Sequence, residues 1–271
     1  MNPVEKYNKR VHRIDSLLCV GLDSDIKKIP ERFQKMEFPQ FEFNKWIIDE
    51  THEFVSAYKP NSAFYEARGS EGMKELKMTM DYLDEMHPDI FTILDAKRAD
   101  IGNTNHGYVT SIFDWLGFDS VTINPYLGKE AVMPFLERKD KVSIILCKTS
   151  NVGGGEFQDL KFSDKPLWQI VAETVSKDWN TNNNCMLVLG ATYPEEMKKV
   201  REVTGDMTFL VPGVGAQCGS VDEVVKSGTT KEGLGLIINS GRAIIFSENP
   251  KEEAKKLRDE INSSRIKTSQ T

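Results

Sequence analysis

The sequence predicts a single (β/α)8 barrel with an extra N-terminal helix, on three observations. Eight short apolar runs rich in β-branched residues recur along the chain, and segments with helical period lie between them. The 271 residues also suit one domain of this architecture, whose usual size is ~250 residues. Parallel strands joined by right-handed helical crossovers close most simply into a barrel, and a doubly wound open sheet is the competing arrangement.

In order, the stripe Tyr7, Val11 and Ile14 marks a helix ahead of the first strand, placed to cover the bottom of the barrel. The strand candidates are LLCVGLD (17–23), SAYKPN (56–61), FTILDAK (91–97), SVTINPY (120–126), VSIILCKTS (142–150), MLVLGAT (186–192), TFLVPGVG (208–215) and LGLIINSGR (234–242). Met73, Leu76, Met80 and Leu83 form a helical stripe closed off by Pro88, and Ala254, Leu257 and Ile261 form another. Helix starts are signalled by Ser220 with Glu223, by Asn249 before Pro250, and by Tyr193-Pro194-Glu195-Glu196. No repeat or linker divides residues 1–271, and the tail SSRIKTSQT, from about 263, reads as disordered.

Composition narrows the function classes. The 35 basic and 41 acidic residues give a net charge of -6 without a basic block, which argues against nucleic acid as a partner. Cys19, Cys147, Cys185 and Cys218 are scattered with no metal-ligand spacing, and the four histidines are far apart in sequence, so neither disulfides nor a metal site is expected. The charged N-terminal stretch and the lack of a membrane-length apolar run point to a cytoplasmic protein with no membrane partner.

Chemistry concentrates at strand ends, where barrels of this kind carry their active sites. In LDAKRADIGNT (94–104), regular alternation puts Asp95 and Lys97 on one face, pointing into the barrel mouth ~7 Å apart. Charges so placed must be paired. A lysine flanked by carboxylates keeps its proton, which suits a general acid or electrostatic clamp. Lys59 and Asn61 share a face of the second strand, and Asp23 ends the first. After strands seven and eight come Pro212-Gly213-Val214-Gly215-Ala216-Gln217 and Gly241-Arg242, a glycine loop and an arginine fork suited to phosphate. The run Asn151-Val152-Gly153-Gly154-Gly155 has no Gly-Lys-Ser/Thr after it, so it reads as a lid with Ser150 at its base, not a nucleotide P-loop. Lys148 raises the rival of a Schiff-base aldolase, and strand parity leaves its direction open.

The early LD (22–23), Lys59, DAKRADIGNT (95–104), KTSN (148–151), PGVGAQ (212–217) and GR (241–242) together resemble the orotidine 5'-phosphate decarboxylase family, in its longer, bacterial-type branch with GATYPEE at 190–196. That resemblance, spanning residues 17 to 242, implies decarboxylation of orotidine 5'-monophosphate to UMP without metal or organic cofactor. It implies Lys97 as proton donor to C6, Asp95 beside the substrate carboxylate, and Lys59 and Asp100 completing the charge network. It further implies Asp23 and Asn61 at the ribose, Ser150 at the pyrimidine, and Gln217, Gly241 and Arg242 at the phosphate. Asp100 and Thr104 would reach into a neighbouring subunit's site, hence a homodimer. Two alternatives stand beside it: a magnesium-dependent sugar-phosphate decarboxylase or aldolase of the same superfamily, and a non-catalytic nucleotide-binding barrel.

Overall fold

The computed structural model describes residues 3–214 and 219–269. Eight parallel strands close into a barrel in sequence order: β1 (Leu18–Val20), β2 (Ala57–Tyr58), β3 (Phe91–Arg98), β4 (Ser120–Ile123), β5 (Val142–Lys148), β6 (Cys185–Leu189), β7 (Phe209–Pro212) and β8 (Leu236–Ser240). The ring is sealed where β8 meets β1, with Leu18 opposite Ile238 and Val20 opposite Ser240. All eight predicted strands are present, and the open-sheet alternative is excluded by that closure. Their apolar runs follow from burial on both faces, inward against the barrel interior and outward against the helices.

The helices follow their sequence signals. α1 (Pro3–Ile14) lies across the N-terminal ends of the strands. There Tyr7 Oη donates to Leu236 O at 2.5 Å, and Arg10 Nε donates to Val55 O at 3.0 Å. The predicted stripe over 73–83 belongs to α2 (Gly69–Met86), which buries Leu76, Met80 and Leu83. α3 (Pro194–Thr204) starts at its proline, and α4 (Val221–Gly228) is capped by Ser220, whose hydroxyl accepts from Glu223 N. α5 (Pro250–Ser269) is capped by Asn249, whose side chain accepts from Glu252 N at 3.1 Å.

α5 corrects one expectation, because it continues past position 263, where a disordered tail was predicted. Ser264 is buried, while Arg265 donates through Nε to Gly233 O at 2.9 Å and pairs with Asp15 at 2.8 Å. A polar segment therefore stays helical through tertiary contacts that its own composition does not reveal. Among the described residues, no helix is long and apolar enough to cross a membrane.

Candidate active site

β3 positions the central group. Its pairing with β4 slips between Leu94 and Arg98, and Lys97 adopts φ +48°, a left-handed conformation that costs a lysine energy. Thr122 of β4 holds the distortion, since Lys97 N donates to Thr122 Oγ1 at 2.9 Å. The bulge re-aims the lysine. Asp95 and Lys97 do share the barrel mouth, but through this irregularity and not the uniform alternation expected from sequence. Lys97 Nζ folds back to 2.6 Å from Asp95 Oδ1.

Asp95 is the hub. Its Oδ1 also accepts from Thr122 Oγ1 at 2.9 Å, and its Oδ2 meets Lys59 Nζ at 3.2 Å and Asn61 Nδ2 at 3.3 Å. The Lys59 side chain is only 4% exposed and that of Asp95 13%, whereas Lys97 keeps 49% of its surface open. Burial alone would push the Asp95 carboxyl up, yet the Lys59 and Lys97 ammonium groups outweigh it and hold the carboxyl well below its ordinary 3.8. Burial likewise opposes charge on Lys59, but Asp95 and then Asp23 hold its ammonium above the ordinary 10.5. Asp95 and Lys59 are thus both held in their charged forms near neutral pH.

These groups open onto a cavity of about 210 Å³ at the C-terminal ends of the strands. Lys59, Asp95, Lys97, Thr122, Thr149, Ser150 and Asn151 supply its polar lining, and Leu146, Val188 and Leu210 are among its apolar groups. A flat apolar ring with polar edges matches that mixture. At the adjoining mouth of β1 and β8, Asp23 Oδ1 is buried with no hydrogen-bond partner among the described residues. A Cβ built on Gly241 would lie 3.5 Å from Asp23 Oδ2, so these two predicted residues are neighbours. Arg242 is exposed at the start of the short helix Arg242–Ile245 that follows β8.

The other predicted residues fall as follows. Asn61 uses both ends of its amide, donating to Asp95 and accepting from Ala63 N at 3.1 Å as a helix cap. Asp100 lies beyond β3, where its carboxylate accepts from Ile101 N at 2.7 Å, and it does not line the cavity. Thr104 is exposed on the helix Gly102–Val109. Gln217 lies outside the described residues. Lys148 turns away from the cavity onto Asp159, so it presents no free amine there.

Sequence reasoning overlooked Thr122 and Gly190. A threonine within the apolar run of β4 is the visible signal of the first. Gly190 is explained by close approach, since a Cβ there would come within 2.9 Å of Ser150 N and Cβ. Burial pushes the Cys19 thiol up to about 12, which makes it a poor nucleophile. The histidines far apart in sequence are not all apart in space: the ring centres of His52 and His87 lie 4.4 Å apart, with the planes tilted by 30°. Among the described residues, no group of three or more His, Cys, Asp or Glu side chains is gathered as metal ligands.

Relatives share both the sequence and this architecture. A protein from Christiangramia forsetii named orotidine 5'-phosphate decarboxylase is 49% identical over 90% of this chain and 89% of its own length. One of the same name from Cellvibrio japonicus is 45% identical over 98% of this chain and all of its own. Among solved structures, the OMP decarboxylase of Leishmania donovani superposes with a TM-score of 0.88 at 37% identity, covering 98% of this chain and 100% of that one. The profile of the orotidine 5'-phosphate decarboxylase / HUMPS family matches residues 16–257, and with that match and those identities the chain belongs to this family.

Proposed function

We infer that the chain decarboxylates orotidine 5'-monophosphate to UMP and carbon dioxide, the last step of de novo pyrimidine synthesis. The observation that carries the reading is Asp95 braced between two lysines at the mouth of a barrel of this family. Both oxygens of Asp95 are occupied by ammonium, hydroxyl and amide donors, an arrangement suited to a network of fixed charge and not to a magnesium-binding carboxylate set. That disfavours the magnesium-dependent alternative, and the orientation of Lys148 disfavours the Schiff-base one.

In the mechanism, the bond from C6 to the carboxylate breaks and leaves its electron pair on C6. The Lys97 ammonium stabilises that developing charge and delivers the proton that forms the C6–H bond. Its half-open surface lets solvent restore the proton. Asp95 stays ionised, so repulsion with the substrate carboxylate is relieved as carbon dioxide departs. Lys59 keeps Asp95 in place and charged.

Ser150 contacts the pyrimidine, and the Asp23 oxygen that has no partner among the described residues accepts from ribose hydroxyls, with Asn61 alongside. Gly241, Arg242 and Gln217 hold the phosphate. Contacts made far from C6 supply binding energy that orients the ring. A homodimer completes the site: Asp100 and Thr104 lie past β3, outside the lining of their own cavity, and Ile101 next to Asp100 is an exposed apolar side chain. Turnover of orotidine 5'-monophosphate by purified protein, followed by pyrimidine absorbance with a chelator present, tests the reading. Absence of turnover overturns the decarboxylase, and activity lost on chelation overturns catalysis by side chains alone.

A further inference from the structure

Lys148, at the end of β5, is 1% exposed yet lines no part of the cavity. Its Nζ lies 2.5 Å from Asp159 Oδ1 and 4.5 Å from the centre of the Tyr193 ring. The next residue makes a second tie to the same place. Thr149 N donates to Gln158 Oε1 at 2.9 Å, and Gln158 Nε2 donates back to Thr149 Oγ1 at 2.7 Å. Two consecutive residues leaving β5 therefore grip two consecutive residues at the far end of the loop. The span between them carries Ser150 and the three glycines 153–155, with Val152 and Phe157 exposed.

We propose that Lys148 and Asp159 form an ionic clasp at the base of this loop, a positioning pair that holds Ser150 and the glycine segment over the cavity. The proposal rests on the decarboxylase reading for the ligand it serves. Backbone contacts tie the clasp to the site, because Lys148 O accepts from Gly190 N at 2.8 Å and Gly190 packs directly on Ser150. Glycines make the loop costly to order, since they lose the most backbone freedom. Fixing both ends beforehand confines that cost to the tip. Without Asp159 the buried Lys148 side chain would keep, among the described residues, the Tyr193 ring as a favourable neighbour and would seek water, loosening the base of the loop. Asp159 is the safer position to alter, because its side chain is 52% exposed.

The test compares the unmodified chain with Asp159→Asn, Asp159→Glu and Lys148→Met. It measures kcat and KM for orotidine 5'-monophosphate, and the rate at which chymotrypsin cuts after the exposed Phe157, with and without UMP. For Asp159→Asn and Lys148→Met, KM should rise about tenfold with kcat changed less than about threefold. Cleavage of the ligand-free loop should quicken by about tenfold, with weaker protection by UMP. Asp159→Glu should recover part of both effects. Should Lys148→Met fail to fold, Asp159→Asn decides. An Asp159→Asn protein whose KM and ligand-free cleavage match the parent's overturns the clasp. A parent chain without turnover overturns the decarboxylase reading instead, while the ligand-free cleavage comparison still judges the clasp.

Discussion

The two ends of the barrel both bury charge, and they spend it differently. At the bottom, Arg10 is consumed by structure: it donates to Val55 O and His52 O and pairs with Asp89 at 2.5 Å, while Lys6 pairs with Asp119 at 2.7 Å. At the mouth, Lys59 and Lys97 share one carboxylate, Lys97 stays half open, and one oxygen of Asp23 has no partner among the described residues. Burial and pairing alone therefore do not mark a functional site. What distinguishes the mouth is charge that faces a cavity with bonding capacity left over.

Substitutions at the two ends can break that contrast. The largest effect should come from Lys97→Ala, which should lower kcat by at least ~10³ because both charge stabilisation and the proton are lost. Binding of UMP by that variant should persist, and calorimetric titration can measure it. A variant that retained near-normal turnover would leave only a nucleotide-binding barrel. At the bottom the pattern should invert: Arg10→Met should cost ~3 kcal/mol of stability in denaturant unfolding, as a buried hydrogen-bonded charge is removed, with kcat essentially unchanged. Loss of activity in a folded Arg10→Met protein would dissolve the distinction between the ends.

Smaller effects sharpen it. Mixing inactive Lys59→Ala and Asp100→Ala chains should restore up to about a quarter of parental activity, since random pairing gives half hybrid dimers, each with one intact site. No recovery would argue against a site shared across two copies. The smallest effect concerns pH. Asp95 is depressed below 3.8, so its stabilising contribution is present above that value and is lost as pH falls through its folded pKa. Lys59 is raised above 10.5, so its contribution is present below that value and is lost as pH climbs through its folded pKa. Between those limits the pair keeps its charge, so a kcat profile should show no inflection from it across pH 5 to 9, a range set by these two groups' ordinary values. An inflection that vanished in Asp95→Asn would contradict the fixed-charge network.

Much of this was legible from sequence, for reasons that also explain what was not. Parallel strands buried on both faces appear as unbroken apolar runs, so all eight were visible, as was the charge pattern at 95–97. The bulge at Lys97 was invisible because a hydroxyl from the neighbouring strand sustains it, and β3 alone carries no trace of Thr122. Lys148 escaped for a related reason. The register of β5 against β6 slips between Leu146 and Lys148, so counting alternate residues could not give its direction. The anchoring of the last helix at Arg265 and the His52–His87 ring contact likewise depend on partners remote in sequence.

Closure of the barrel has a further consequence for how the molecule behaves in crowded solution. With β8 bonded to β1, the main sheet offers no unpaired edge on which another chain could add a strand. Edges do remain on the small hairpin Lys161–Phe162 and Lys165–Pro166, where Phe162 stands exposed. Two lysines and a proline occupy three of its four strand positions, and each blunts strand addition by charge or by the missing N–H. Resistance to aggregation is thus inherited from topology over the body of the fold, and supplied by side-chain choice on this one excursion.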